Sequence, residues 1–294
     1  TATTDRREMV LRIGMMSDIQ YAEKEDRIVE QTGKLRSYSK VLSKVDEGVK
    51  HLNSSGVSAV VHLGDIIDGQ EHLGQTHKEL DTVLEHLSRL QSPLHHVIGN
   101  HCMMADSNYL LQKLDLTRGT YYVRDLAPQW RLIVLDTVEV SLRSTWYKHV
   151  NMAKHYLATH QGEPNAQEWN GTIGPEQMVW LENKLRDSER EGRTAIVCGH
   201  LPIVAEASGP EHVMWHHDRL LDLFRTYSGT VKAYFSGHYH PGGYAKKDDV
   251  HHVTLEAILD SDKEEGASAV VELHDSWISI DGIGSLTARR LSTR

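Results

Sequence analysis

Val60-Val61-His62-Leu63-Gly64-Asp65-Ile66-Ile67-Asp68 is an apolar, β-branched run that stops at a glycine and then presents two carboxylates. Further on, His96-Val97-Ile98 runs into Gly99-Asn100-His101 in the same manner. A near-continuous apolar run is how a strand buried on both faces reads, as in a parallel sheet covered by helices. Glycine at its end permits a sharp exit and a close backbone approach. Asp65 and Asn100 then offer the hard oxygen ligands that Mg²⁺ or Mn²⁺ prefers.

One Gly-Asp pair after a strand is more often a plain turn than a metal site. The signal is the ordered set. Leu11–Ser17 runs into Asp18-Ile19-Gln20, Ala195–Cys198 into Gly199-His200, and Ala233–Ser236 into Gly237-His238-Tyr239-His240. Five apolar runs in one chain each end in Asp, Asn, Gln or His.

This set resembles the calcineurin-like metallophosphoesterases, whose pattern is D-x-H, G-D-x-x-D, G-N-H, G-H and G-H-x-H. Gln20 stands where most members carry His. With that change, S-D-x-Q-Y-A, I-G-N-H-C, C-G-H-x-P and S-G-H-x-H-x-G-G-Y resemble the manganese-dependent ADP-ribose/CDP-alcohol diphosphatases in particular. The likeness extends through Trp169-Asn170-Gly171, Trp180-Leu181 and His251–Leu259, nearly the whole chain.

The resemblance implies an α/β fold: a four-layer αββα sandwich of two mixed sheets flanked by helices. It implies two divalent ions, Mn²⁺ with Mg²⁺ or Fe²⁺ as alternatives. Asp18, Gln20, Asp65 and His240 would bind one; Asp65, Asn100, His200 and His238 would bind the other, with Asp65 bridging. An amide oxygen binds more weakly than imidazole, so the ion at Gln20 should be the looser. His101 would donate a proton to the leaving oxygen, and Asp68 would orient its imidazole. The implied reaction is in-line attack of a metal-bound hydroxide on a pyrophosphate. ADP-ribose would give AMP and ribose 5-phosphate; CDP-choline would give CMP and a phosphoalcohol. A cyclic-nucleotide or other phosphodiesterase, and an inactive scaffold, are the alternatives. Gly69 follows Asp68 where the serine/threonine phosphatases carry Arg, which disfavours a phosphoprotein substrate. Tyr21 is out of place for a purple acid phosphatase.

Composition sets outer bounds. The chain has 294 residues, 39% hydrophobic and 25% charged, enough for one large α/β domain. We read 1–294 as a single domain with an insertion at about 137–173 covering the site. A net charge of −9 argues against a nucleic-acid surface. It leaves phosphate substrates open, because a bound dication dominates its local field. Cys102 and Cys198 are too few for a disulfide scaffold and read as small buried hydrophobes in a reducing compartment. No apolar stretch spans a bilayer and no signal-peptide core opens the chain, so a cytoplasmic monomer acting on small molecules is the default. His212, His216, His217, His251 and His252 fall outside the pattern and read as surface or pocket-rim residues.

Along the chain, Met9–Met16 reads as the first strand. Tyr21–Arg36 reads as a loop, either a solvated excursion or a substrate-facing one. Helices are expected over Ser37–Leu52, Gly74–Leu90, Gly174-Pro175 onward and Met214–Tyr227; strands over Val57–Leu63, Leu94–Ile98, Thr194–Cys198 and Val231–Phe235. Tyr121–Asp125 and Trp130–Asp136 read as a hairpin, with Asp136 a structural cap. Ser144–Thr172 lacks periodicity. Val253–Ile258, Ala269–Leu273 and Trp277–Ile280 should close the second sheet, and Leu286–Arg294 should fray.

Overall fold

The computed structural model describes residues 11–30 and 33–293. Its first strand, β1 (Leu11–Met16), ends at Ser17-Asp18; Met9 and Val10 of the expected strand lie outside the described residues. The loop expected after it contains a small hairpin, β2 (Arg27–Ile28) with β3 (Leu35–Arg36). Then follow α1 (Val41–Ser54), β4 (Ala59–His62), α2 (Leu73–Leu87), β5 (Leu94–His96) and a short α3 (Ser107–Lys113). A hairpin of β6 (Tyr122–Asp125) and β7 (Trp130–Val134) leads to α4 (Tyr147–Thr159), α5 (Pro175–Arg190), β8 (Thr194–Cys198), α6 (His217–Thr226) and β9 (Val231–Ser236). The chain closes with β10 (Gly243–Lys247), β11 (Val250–Thr254), β12 (Ala267–Leu273), β13 (Trp277–Gly284) and β14 (Arg289–Ser292).

Two six-stranded sheets result, in the orders β14-β13-β12-β1-β4-β5 and β10-β11-β9-β8-β7-β6. Both are mixed: β1, β4 and β5 run parallel, as do β7, β8, β9 and β11, while β12, β13 and β14 in the first sheet and β6 and β10 in the second pair antiparallel. Strand side chains alternate between faces. Ile13, Met15 and Val61 of one sheet pack against Leu132, Ile196 and Phe235 of the other, making a core between them. Met16 and Val60 face outward onto the helical layer with Val45, Val49 and Leu80. On the second sheet, α5 supplies Leu181 and Leu185, while Phe224 of α6 lies 5.9 Å from the Tyr234 ring. Helices therefore cover both outer faces, as the four-layer expectation requires.

Several local expectations are corrected. The segment Ser144–Thr172 contains α4, whose buried face is His149, Ala153 and Tyr156. That stripe has helical spacing, but only its alanine is a small aliphatic residue. The strand expected over Val253–Ile258 lies earlier, at β11, and it joins the second sheet. In contrast, β12 and β13 join β1 in the first sheet. The tail expected to fray adds β14 to β13. His251 and His252, expected at the surface or on a pocket rim, are buried within β11. Among the described residues, no helix is long and apolar enough to cross a membrane.

Candidate metal centre

The loops that leave the carboxyl ends of β1, β4, β5, β8 and β9 converge, the usual site position in open parallel sheets. Backbone bonds lace them together. Asp18 N–H donates to Gly64 O at 3.2 Å, Gln20 N–H to Asp65 O at 2.8 Å, and Gly237 N–H to His200 O at 3.1 Å. Such close loops leave no room for extra atoms. A Cβ on Gly99 would collide with the Asp65 carboxylate, and one on Gly64 with the His200 ring.

Asp65 is the hub. Its Oδ1 accepts from His101 N–H at 2.8 Å, and its Oδ2 lies 3.1 Å from Gln20 Nε2 and 3.2 Å from His200 Nε2. His200 Nε2 also lies 3.0 Å from Asn100 Oδ1. His238 N–H donates to both oxygens of Asp18, at 3.2 and 3.0 Å, and His240 Nε2 lies 3.7 Å from Asp18 Oδ1. One ligand atom each from Asp65, His200 and His238 fits within 4.8 Å of the others. The seven side chains expected to hold metal thus form one connected cluster.

The donor chemistry of that cluster suits cations. His200 Nδ1 lies 2.9 Å from Leu63 O, a pure acceptor, so Nδ1 carries a hydrogen. Its Nε2 then faces two more oxygens, Asp65 Oδ2 and Asn100 Oδ1. Gln20 Oε1 is buried and has no hydrogen-bond partner, an orphan that a metal ion would satisfy.

Electrostatics agree. Burial pushes the Asp18 carboxyl up, against the opposing pull of His200 and His240. Burial would likewise raise Asp65, but His200 and His101 hold it well below the usual carboxylate range. Burial would lower His200, yet Asp65 carries it up to about 9. Burial, with His200 beside it, pushes His238 well down. Asp65 is thus held as the carboxylate, the form that can bind a cation.

Backbone strain marks the same residues. Asp18, Gln20, Asp65 and His238 have φ of 50°, 43°, 54° and 68°. The left-handed region is uncommon outside glycine, and such positions cost of order 1–3 kcal/mol each. Here the converging loops hold them.

His101 stands beside the cluster as expected. Its Nδ1 lies 2.9 Å from Asp68 O and 3.1 Å from Asp68 Oδ1, so Asp68 engages that nitrogen and not Nε2. Burial would raise Asp68, but His101 and Lys24 together hold it well below its ordinary range. Burial would lower His101, but Asp65 and Asp68 raise it. Tyr38 OH donates to Asp68 Oδ2 at 3.1 Å, and Lys24 Nζ reaches the same oxygen. His101 and Asn100 line a cavity of about 730 Å³ together with Lys24, Arg27 and Arg143.

Sequence reading missed several supports. Asp260 Oδ1 lies 3.0 Å from His240 Nδ1. Thr137 Oγ1 accepts from the backbone of His200 and Leu201 at 3.1 and 3.0 Å. Asn170 reaches His238, whose ring centroid is 5.5 Å from that of His212. Asp260 ends the apolar run Ala257-Ile258-Leu259, the same grammar as the residues of the cluster, and could have been found that way. Asp136, which shares that grammar, is not in the cluster. It accepts from Val138 N–H at 3.1 Å and borders a separate cavity of about 610 Å³ with Tyr121, Trp146 and Trp180. Both cysteines are free and buried, and burial pushes the Cys102 thiol up to about 12.

Comparison with known proteins places this architecture. The profile of the calcineurin-like phosphoesterases matches residues 11–242. The chain is 26% identical to a manganese-dependent ADP-ribose/CDP-alcohol diphosphatase of Arabidopsis thaliana, over 94% of this chain and 95% of that one. It is 28% identical to the protein of the same name from Homo sapiens, over 98% and 94%. Among solved structures, a dimetal phosphatase from Danio rerio superposes with a TM-score of 0.89 at 25% identity, covering 97% of this chain and 99% of that one. With the family profile running from β1 through β9 and taking in all seven residues of the cluster, the chain belongs to the calcineurin-like phosphoesterases.

Proposed function

We propose that this chain is a two-metal hydrolase of nucleoside diphosphate derivatives, splitting the pyrophosphate of ADP-ribose and of CDP-alcohols such as CDP-choline. The observation that carries it is the cluster around Asp65: three imidazoles, two carboxylates and two amides, with Gln20 Oε1 buried and unpartnered. Relatives named for this activity, over nearly their whole length, support the substrate class.

Asp18, Gln20, Asp65 and His240 hold one divalent ion, Mn²⁺ by the relatives' name. Asp65, Asn100, His200 and His238 hold the other. When bound, the pair supplies Lewis acidity toward phosphoryl oxygens and acidifies water.

The chain's own groups do the rest. His101, with Nδ1 engaged by Asp68, gives a proton from Nε2 to the departing phosphate oxygen. Asp68 keeps that ring in one tautomer, and Tyr38 and Lys24 keep Asp68 in place. The cavity beside His101 takes the departing half of the substrate. Arg27 and Arg143 in its wall have no carboxylate partner among the described residues and suit a second phosphate. The segment at about 137–173 acts as a cap over this site within a single domain, and the protein works as a monomer.

The test is turnover by the EDTA-stripped, Mn²⁺-reloaded protein. ADP-ribose should give AMP plus ribose 5-phosphate, and CDP-choline CMP plus phosphocholine, both faster than cyclic AMP is opened. Cyclic AMP opened while neither pyrophosphate is cleaved would favour the phosphodiesterase alternative. No turnover of any of the three would favour an inactive scaffold.

A further inference from the structure

Asn170 belongs to none of the metal-binding motifs. It lies between α4 and α5, fully buried, yet its Oδ1 is 3.2 Å from His238 Nε2. The orientation of its amide follows from the other end. Asn170 Nδ2 donates to Asn165 O at 3.0 Å and to Glu211 O at 2.8 Å. Backbone carbonyls only accept, so the NH₂ must face them and the amide oxygen must face the histidine. His238 Nε2 therefore carries the ring hydrogen, and Nδ1 keeps the lone pair.

We propose that Asn170 is a positioning residue for the metal centre: it fixes His238 as the Nε2–H tautomer and leaves Nδ1 as its ligand atom. The proposal rests on the two-ion reading above. It follows the general rule that a ligating imidazole donates its other N–H to an oxygen, which sets ring angle and basicity. In this chain Leu63 O does this for His200 and the Asp260 carboxylate sits at the same place for His240. For His238 the oxygen comes from a remote segment.

That segment is seated independently of the strands. Trp215 Nε1 donates to Asn165 O at 2.8 Å, Trp215 N–H donates to Gly171 O at 2.9 Å, and the Tyr156 ring of α4 stacks on Trp215 at 4.8 Å. Val140, Ala153, Tyr156 and Trp215 make a small core of their own. The placement of α4 and its flanks on Trp215 is thus carried, through one amide, to a metal ligand.

The experiment is a Mn²⁺ titration of the EDTA-stripped full chain by calorimetry, with Asn170→Ala and Asn170→Asp beside the wild type. Asn170→Ala should weaken one of the two ions about 10- to 100-fold, the usual effect of losing such a support, and the other less than about threefold. Asn170→Asp keeps an oxygen toward Nε2 while losing both donors. It should lower the Tm of the metal-free protein yet hold both affinities within about threefold of wild type or tighter. In the metal-free protein, the ¹⁵N shifts of His238 should report the Nε2–H tautomer in wild type and a mixture in Asn170→Ala. Unchanged affinities in Asn170→Ala, or a loss in Asn170→Asp as large as in Asn170→Ala, would overturn the proposal. If Asn170→Ala does not fold, Asn170→Asp decides: retained affinity supports the acceptor role and a tenfold loss contradicts it. Wild type binding fewer than two Mn²⁺ would overturn the two-ion reading and this proposal together. A failure to cleave ADP-ribose would leave both standing.

Discussion

His240 Nδ1 lies 3.0 Å from Asp260 Oδ1, while His240 Nε2 points to Asp18 at 3.7 Å, so a carboxylate sits on each side of one buried imidazole. Burial would raise Asp260, but His240 and Arg36 hold it below its ordinary range. An anion behind a ligating imidazole raises its basicity and fixes its rotamer. Asp260→Asn should weaken one Mn²⁺ about 10- to 100-fold and leave the ion near His200 within a few-fold. Calorimetric titration of the metal-free protein checks this, and equal loss at both sites would argue against a local role.

His101 donates a proton and does not hold metal in the proposed reaction. His101→Ala should lower kcat for ADP-ribose about 10²- to 10⁴-fold, with both Mn²⁺ still bound. Asp68→Asn should fall between that variant and wild type, because the ring remains but its tautomer is no longer enforced. Steady-state kinetics alongside metal titration separate the two effects. Unchanged turnover in His101→Ala would remove His101 from its role.

Asp136 gives a pH signature away from the metal. Burial pushes its carboxyl from 3.8 up to about 7. The folded chain then holds a proton that the unfolded chain has released, so stability falls as pH rises from about 4 to about 7 and levels off above. Asp136→Asn keeps the acceptor for Val138 N–H and removes the titration. Its Tm should vary less than that of wild type between about pH 5 and 8, with the gain at the upper end. Parallel Tm–pH curves would contradict this.

Gly99 is required for space. A Cβ there would meet Asp65 Oδ1 and the Asp65 backbone nitrogen, neither of which is the free end of a flexible chain. Gly99→Ala should cost about 1–3 kcal/mol in urea unfolding, in line with overpacked interiors. It should also weaken Mn²⁺ binding about tenfold or more, through displacement of the Asp65 carboxylate that we propose bridges the two ions. A neutral substitution would contradict the close interlocking of these loops.

Most of the cluster was legible because its residues share one local grammar: an apolar strand, a turn, then Asp, Asn or His. Asp18, Asp65, Asn100, His200 and His238 all follow it, and the strand ends bring them together. Supports that come from elsewhere were not legible. Lys24 and Tyr38 reach Asp68 from a polar loop and a helix start, and Asn170 reaches His238 across a long segment. Only tertiary packing sets those contacts. In the fold, β10 and β14 were missed because Lys246-Lys247 and Arg289-Arg290 give these edge strands the composition of a loop, a usual way of protecting a sheet edge. The α4 helix was missed because its inward stripe is His149, Ala153 and Tyr156.

Crystals soaked in Mn²⁺ and measured for anomalous scattering test the two-metal centre most directly. Two peaks roughly 3.5–4 Å apart are expected with Asp65 between them, one beside Asp18, Gln20 and His240, the other beside Asn100, His200 and His238. A single peak, or none within this cluster, would contradict it.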